Sequence, residues 1–308
     1  MPDTVDPDLP RGVALAWGVA ASPQRGPKRE MSVERIVEAA IDIADAEGLG
    51  AVSMAAVAAR LGFTPMSLYR YVSAKDDLIL LMQEEATGLP PEGAREGDWR
   101  AQLTALYLAQ LEGYLRHPWV LDIPISGAPT TPNSAAWMDA GLHALADTPL
   151  SHDDRLAVML LVTGHARWAG MVIAGYARAH AEDGMTDGDV AAREDALYRM
   201  LITADAYPHL REAIDAGVFL DESDPFRFGL ERSLDGVAAY IAAAGQGVPP
   251  RREAWVQNED VDPAVAADKR VREARRSVRE AEKALREARR QERQALREAR
   301  ERAARRDA

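Results

Sequence analysis

Three helix-start signals crowd into the stretch from Ser53 to Lys75, SMAAVAARLGFTPMSLYRYVSAK. Ser53 is placed to cap a helix whose inward face carries Val57 and Leu61, and Gly62 ends it. Thr64 followed by Pro65 is the second start, a hydroxyl N-cap and then a residue whose fixed φ suits the first helical position. The spacing predicts a helix over 65–72 that buries Leu68 and Val72 and turns Met66, Ser67, Arg70 and Tyr71 outward. Ser73, with Asp76 three residues on, makes a third cap. Two short helices joined by a glycine-containing turn form a helix-turn-helix, whose second helix enters the major groove of DNA. The alternative is an ordinary three-helix core with a neutral face, against which three stacked caps at helix-turn-helix spacing weigh.

Local and global charge point in opposite directions. The chain carries a net charge of −12, which argues against a nucleic-acid coat. Between Ser53 and Lys75, however, stand Arg60, Arg70 and Lys75 and no acid. Such a small patch supplies modest non-specific affinity and leaves specificity to geometry and base contacts.

From Met31 to about Thr87 the chain resembles the DNA-binding domain of the tetracycline-repressor family. The matching residues run from SVERIVEAAIDIADAEGLGAVSM through LGFTPMSLYRYVSAKDDLI. They include an amphipathic first helix, the turn Leu61-Gly62-Phe63, the recognition-helix core Leu68-Tyr69-Arg70-Tyr71, and Lys75 opening the next helix. The resemblance implies phosphate contacts from Ser53, Tyr69 and Lys75. It places Pro65, Met66, Ser67, Arg70 and Tyr71 near base edges, with Thr64 at the helix start. Many relatives carry a Lys-Gly or Gln-Pro pair where Pro65-Met66 stands, so the bases read cannot be copied from them.

A length of 308 residues suggests about two domains. The absence of cysteine excludes disulfides and thiolate chemistry and fits a reducing, cytoplasmic compartment. No run approaches about 18 consecutive apolar residues, and acids and prolines near the N-terminus break any signal peptide, so no membrane partner is expected. Residues 1–30 are expected to form a flexible arm, in which Arg25, Lys28 and Arg29 either reach a minor groove or stay solvated. The expected organisation is all-α. A helix-turn-helix domain over 31–88 precedes a helical ligand-binding and dimerisation domain over 89–247. A linker over 248–263 and a long charged helix over 264–308 complete it.

The middle region reads as helices at about 98–117, 133–147, 152–181, 188–205, 208–217 and 225–245, with an irregular proline-rich segment at 118–132. Its segments 160–176 and 226–241 resemble the two helices that in the family pack against their symmetry mates, which implies a homodimer. Gly164, Ala166, Ala169, Gly170 and Ala174 supply a small-residue face for close approach, and Val237, Ala238 and Ile241 an apolar stripe. The alternative is that both helices belong to the core of one chain. Candidate effector-binding residues are Leu103, Tyr107, Trp119, Trp137, His143, Trp168 and Met171, around a cavity closed by the 118–132 segment. Their aromatic character suggests a flat or apolar ligand, although such residues at helical spacing also serve as core. The metal-binding histidine expected for the tetracycline–magnesium complex is missing from 118–132, and His143 and His165 form no metal spacing. No cofactor or metal is called for.

No nucleophile elbow, zinc-protease pair, phosphate loop or dinucleotide fingerprint occurs, so no catalysis is expected. The segment 264–308 has 16 basic and 9 acidic residues, a net of 16 − 9 = +7. Val271, Val278 and Leu285 recur every seven residues with Ala274, Ala281 and Ala288 between them, an a/d pattern that fades at Glu292. The sequence therefore predicts a homodimeric regulator that binds a double-stranded operator and is released by a small apolar or aromatic effector. The alternative is an architectural or adaptor protein acting through its last helix, without a ligand.

Overall fold

The structure, a computed structural model, describes residues 9–19, 31–125, 127, 130–221, 223–247, 265 and 268–304. They form helices α1 (Arg11–Ala16), α2 (Val33–Glu47), α3 (Met54–Leu61), α4 (Pro65–Leu68), α5 (Lys75–Thr87) and α6 (Trp99–Arg116). These are followed by α7 (Pro132–Ala144), α8 (His152–Asp183), α9 (Asp187–Leu201), α10 (Pro208–Asp215), α11 (Pro225–Gly245) and α12 (Lys269–Ala304). Among the described residues there is no strand. The chain parts into two compact units, 1–249 and 250–308, the second holding α12. The expected 248–263 linker lies outside the described residues.

The first core is built by α2, α3, α4 and α5. Ile36, Ala40, Val57, Leu68, Val72 and Leu78 are its sealed centre. Ser53 caps α3 by accepting the amide of Ala56, as the sequence predicts, and Ser32 caps α2 by accepting that of Arg35. Gly62 closes α3 at φ 76°, a left-handed conformation that costs glycine nothing. Leu61 itself is only partly buried.

Four expectations are corrected here. The helix expected over 65–72 is α-helical only over Pro65–Leu68, and residues 69–71 continue as a turn in which Tyr71 N donates to Leu68 O at 2.8 Å. Thr64 makes no side-chain cap; instead Ser67 Oγ donates to the Thr64 carbonyl at 2.6 Å. The residue at the cap of α5 is Ala74, while Ser73 Oγ bonds Asp77 Oδ2 at 2.5 Å. The arm over 1–30 contains α1, whose Val13 and Ala14 are buried. Gly12 lets α1 approach α5 closely: its amide donates to Asp77 Oδ1 at 2.9 Å, and an added Cβ would meet that oxygen at 2.8 Å. Trp17 Nε1 donates to Thr130 O at 2.7 Å, so α1 touches both α5 and the segment before α7.

The second core joins α6, α7, α8 and α11 around Leu103, Leu106, Leu145, Ala166, Ala169 and Leu234. Arg199 ties α9 to α10, reaching Asp195 at 2.6 Å and Asp215 at 3.3 Å. Over His152–Ala179, α8 is long and apolar enough to cross a membrane by length and composition, with a mean hydropathy of 1.5 and 33% of that window buried. His165 and Arg167 interrupt it, so the sequence holds no unbroken apolar run there. Arg167 is accounted for in the fold: it donates to the carbonyls of Leu121 and Ile123 at 2.8 and 2.9 Å.

Candidate nucleic-acid interface and effector cavity

The DNA-facing candidates divide by what holds them. Leu68 and Val72 anchor the recognition segment in the core, which leaves Thr64, Pro65, Met66, Tyr69 and Arg70 exposed. Met66 is 73% exposed, far more than a methionine with a packing role requires. Lys75 is exposed at the first position of α5, where phosphates would also meet free backbone amides. Ser67 is half-buried, and Tyr71 is half-buried with its ring against the core rather than turned outward. Ser53 is half-buried and uses its hydroxyl to cap α3. Arg60 does not join the patch as a free cation, because Asp42 of α2 pairs with it at 2.8 Å. A carboxylate from outside the motif cannot be seen in the motif. Arg25, Lys28 and Arg29 lie outside the described residues.

The recognition segment is coupled to the rest of the unit through both ends of one structural frame. Beyond α6, a 3-10 turn over Pro118–Asp122 inserts Trp119 and Val120 into the first core. Trp119 Nε1 donates to Asp45 Oδ1 at 2.7 Å, and His117 Nδ1 lies 2.8 Å from the same oxygen. At the end of α5, Asn133 of α7 grips Glu84 twice, its amide on the carboxylate at 2.7 Å and its Nδ2 on the carbonyl at 2.9 Å. One turn on, Trp137 Nε1 donates to the Gly88 carbonyl at 3.0 Å.

The effector candidates do not converge on one place. Leu103 and Trp137 line a cavity between α6, α7 and α8, together with Leu106, Gln110, Met159 and Val162. The cavity holds about one water as it stands. Its lining carries no charge, and Gln110 Oε1 is buried without a hydrogen-bond partner. Trp119 is corrected: it sits in the first core, 2% exposed. His143 is exposed on α7, away from the cavity lining. Tyr107 belongs to a neighbouring aromatic cluster, stacked on His165 at 5.5 Å, with Trp168 5.0 Å from Phe226. Burial, with the nearby Asp224 carboxylate adding, pushes the Tyr107 phenol above its ordinary range. Its hydroxyl is buried without a partner. Among the described residues, no group of three metal-ligating side chains occurs.

Trp168 and Met171 face solvent, 56% and 51% exposed. With Leu161 and Gly164 they form one stripe of α8 at spacings of three and four. The small-residue face expected at the interface is used differently. Ala166, Ala169, Gly170 and Ala174 are buried within the chain, and a Cβ on Gly170 would meet Tyr114 Cβ at 3.0 Å. Only Gly164 of that set lies on the open face. On α11, Val237 is likewise buried, while Ala238 and Ile241 are half-buried.

This arrangement, a helix-turn-helix tripod joined to a helical body, was compared with known proteins. The family model for "Bacterial regulatory proteins, tetR family" matches residues 36–82, and that for "Tetracyclin repressor-like, C-terminal domain" matches 90–241. The chain is 32% identical over 245 residues to the HTH-type transcriptional repressor DrrR1 of Streptomyces coeruleorubidus, covering 79% of this chain and 90% of that relative. The chain belongs to the tetracycline-repressor family. As a member of it, the protein is a DNA-binding transcriptional regulator. An HTH-type transcriptional regulator of Saccharopolyspora erythraea is 28% identical over 219 residues, covering 69% of this chain and 85% of the relative. Among solved structures, apo ActR from Streptomyces coelicolor shares the fold at a TM-score of 0.56 and 24% identity, covering 71% of this chain and 99% of that one. Helices α1 and α12 fall outside both family-model spans.

Proposed function

We propose that this regulator is a homodimeric repressor that works in the cytoplasm and leaves its operator when a flat, apolar molecule enters the cavity between α6, α7 and α8. It carries out no catalysis. The observation that carries the reading is the double position of Trp137. Its ring lines the cavity and its indole N–H holds the carbonyl of Gly88, where α5 ends. The cavity is too small for such a ligand until its walls move, so entry displaces Trp137 or a facing side chain. Moving Trp137 releases the end of α5, whose first turn carries Lys75 and abuts the recognition segment. A ligand shifts an equilibrium only by its differential affinity for the two states, and this hydrogen bond differs between them. The relatives are in keeping: DrrR1 is named a repressor, and the fold relative ActR has been solved in complex with actinorhodin and with (S)-DNPA.

Dimerisation is supported by the exposed α8 stripe of Leu161, Gly164, Trp168 and Met171, an apolar patch that a single chain leaves wet. A two-fold pair also presents two recognition segments, as half-site reading requires. Base contacts are assigned to Pro65, Met66, Ser67 and Arg70, and phosphate contacts to Ser53, Tyr69 and Lys75.

The test is titration of a labelled operator fragment from the adjacent promoter with the purified chain, with and without a tricyclic quinone at saturation. Release by the quinone, following a coupling of about 1–3 kcal/mol, is expected. Tight operator binding that no flat apolar compound weakens would leave the architectural reading in its place.

A further inference from the structure

Helix α12 has a charge order that the regulator reading does not use. The tetrapeptide VREA at 271–274 repeats at 278–281, and LREA follows at 285–288, one copy per heptad. With Val271 at position a, the b positions are Arg272, Arg279 and Arg286, and the f positions are Lys269, Arg276, Lys283 and Arg290. Glutamates 273, 280 and 287 occupy c. Every one of these charged side chains is exposed. Two ion pairs in these heptads join f to c, Lys269 to Glu273 at 3.8 Å and Arg276 to Glu280 at 2.9 Å, and a third joins Arg302 to Glu298 further along at 3.8 Å. The b arginines stand outside them. They recur about every 10.5 Å along a straight axis, opposite the alanine-bearing side of the helix.

We propose that α12 is a second DNA-binding element, a rod whose b and f cations lie along the phosphate backbone of duplex DNA without reading sequence. Duplex DNA carries one negative charge per about 1.7 Å of axis, so each cation of a line spaced about 10.5 Å apart has a phosphate within reach. Three other occupants fit less well. An anionic lipid surface needs a bulky apolar face, and here Val271, Val278 and Leu285 alternate with alanines and no aromatic. A parallel copy of α12 would set g residues Ser277, Ala284 and Gln291 against e residues Arg275, Glu282 and Arg289, which gives no complementary charge pair. The rest of the chain is acidic, at −12 − 7 = −19, but contact with it would compete with DNA rather than add to it. The proposal rests on the chain acting on DNA and not on its ligand or its dimer.

The experiment compares the full chain with its triple variant R272Q/R279Q/R286Q, whose glutamines keep helix propensity. Affinity for random-sequence duplex is measured from 50 to 200 mM salt. Each phosphate contact contributes about 0.9 to the slope of log affinity against log salt. The variant's slope should be shallower by roughly two to three units per chain, with low-salt affinity at least about tenfold weaker and the ranking of operator sequences unchanged. An unchanged slope overturns the proposal, and so does stronger DNA binding by the variant, which would place α12 on the acidic body. Vesicles containing phosphatidylglycerol that capture the full chain but not the variant, with the DNA slope unchanged, would make the partner a membrane. A variant that sediments as a monomer would make α12 a dimer element. Failure of the unaltered chain to prefer any operator is a separate outcome and tells against the regulator reading instead.

Discussion

Arg70 and Lys75 are cations five positions apart, and the fold gives them different surroundings. Arg70 is exposed in the turn that follows α4, between the buried Leu68 and Val72. Lys75 sits in the first turn of α5, beside the free amides of a helix start. Arg70→Ala should therefore lose about 1–3 kcal/mol at its preferred base and relax selectivity there, whereas Lys75→Ala should weaken all sequences alike and flatten the salt slope by about one unit. Competition titrations on operator and random duplex separate the two outcomes. Equal effects of both substitutions on both DNAs would mean the roles are misassigned. Arg60→Ala should change affinity less than either, because Asp42 already neutralises that guanidinium.

Helix α8 has two faces with opposite uses. Ala166, Ala169 and Gly170 press against the chain's own α6, and Leu161, Trp168 and Met171 are left open. Gly170→Leu should consequently act inside one chain, colliding with Tyr114 and costing about 1–3 kcal/mol of stability with no direct effect on assembly. Trp168→Glu should leave folding nearly intact and break the dimer, since a carboxylate at the centre of an apolar contact is desolvated without a partner. Thermal unfolding and sedimentation velocity of the two variants read these effects apart. A dimeric Trp168→Glu protein would move the interface away from α8.

Across the molecule, the question is how a cavity in the second core reaches the first. Trp137→Phe keeps an aromatic ring at the cavity wall and deletes the indole donor to Gly88 O. A single such bond is worth about 0.5–1.5 kcal/mol net, so the ratio of operator affinities with and without ligand should shrink by up to about tenfold while ligand binding persists. Calorimetric titration of the quinone and operator titration measure the two quantities separately, and an unchanged ratio would rule out this path. The family motif, the cap at Ser53, the stop at Gly62 and the order of helices from α2 onward were legible in the sequence, because each depends on neighbours within one or two turns. The same locality explains the heptads of α12. What the sequence did not reveal depends on residues far apart in it. Asp42 neutralises Arg60, Asp77 receives Gly12 from a helix inside the expected arm, and Trp119 leaves the effector set for the first core. Gly170 meets Tyr114 rather than a second chain. Spacing along a helix says which residues share a face. Only the packing of that helix against its neighbours decides whether the face looks at core, cavity, partner or DNA, because burial is a property of all the surrounding elements at once.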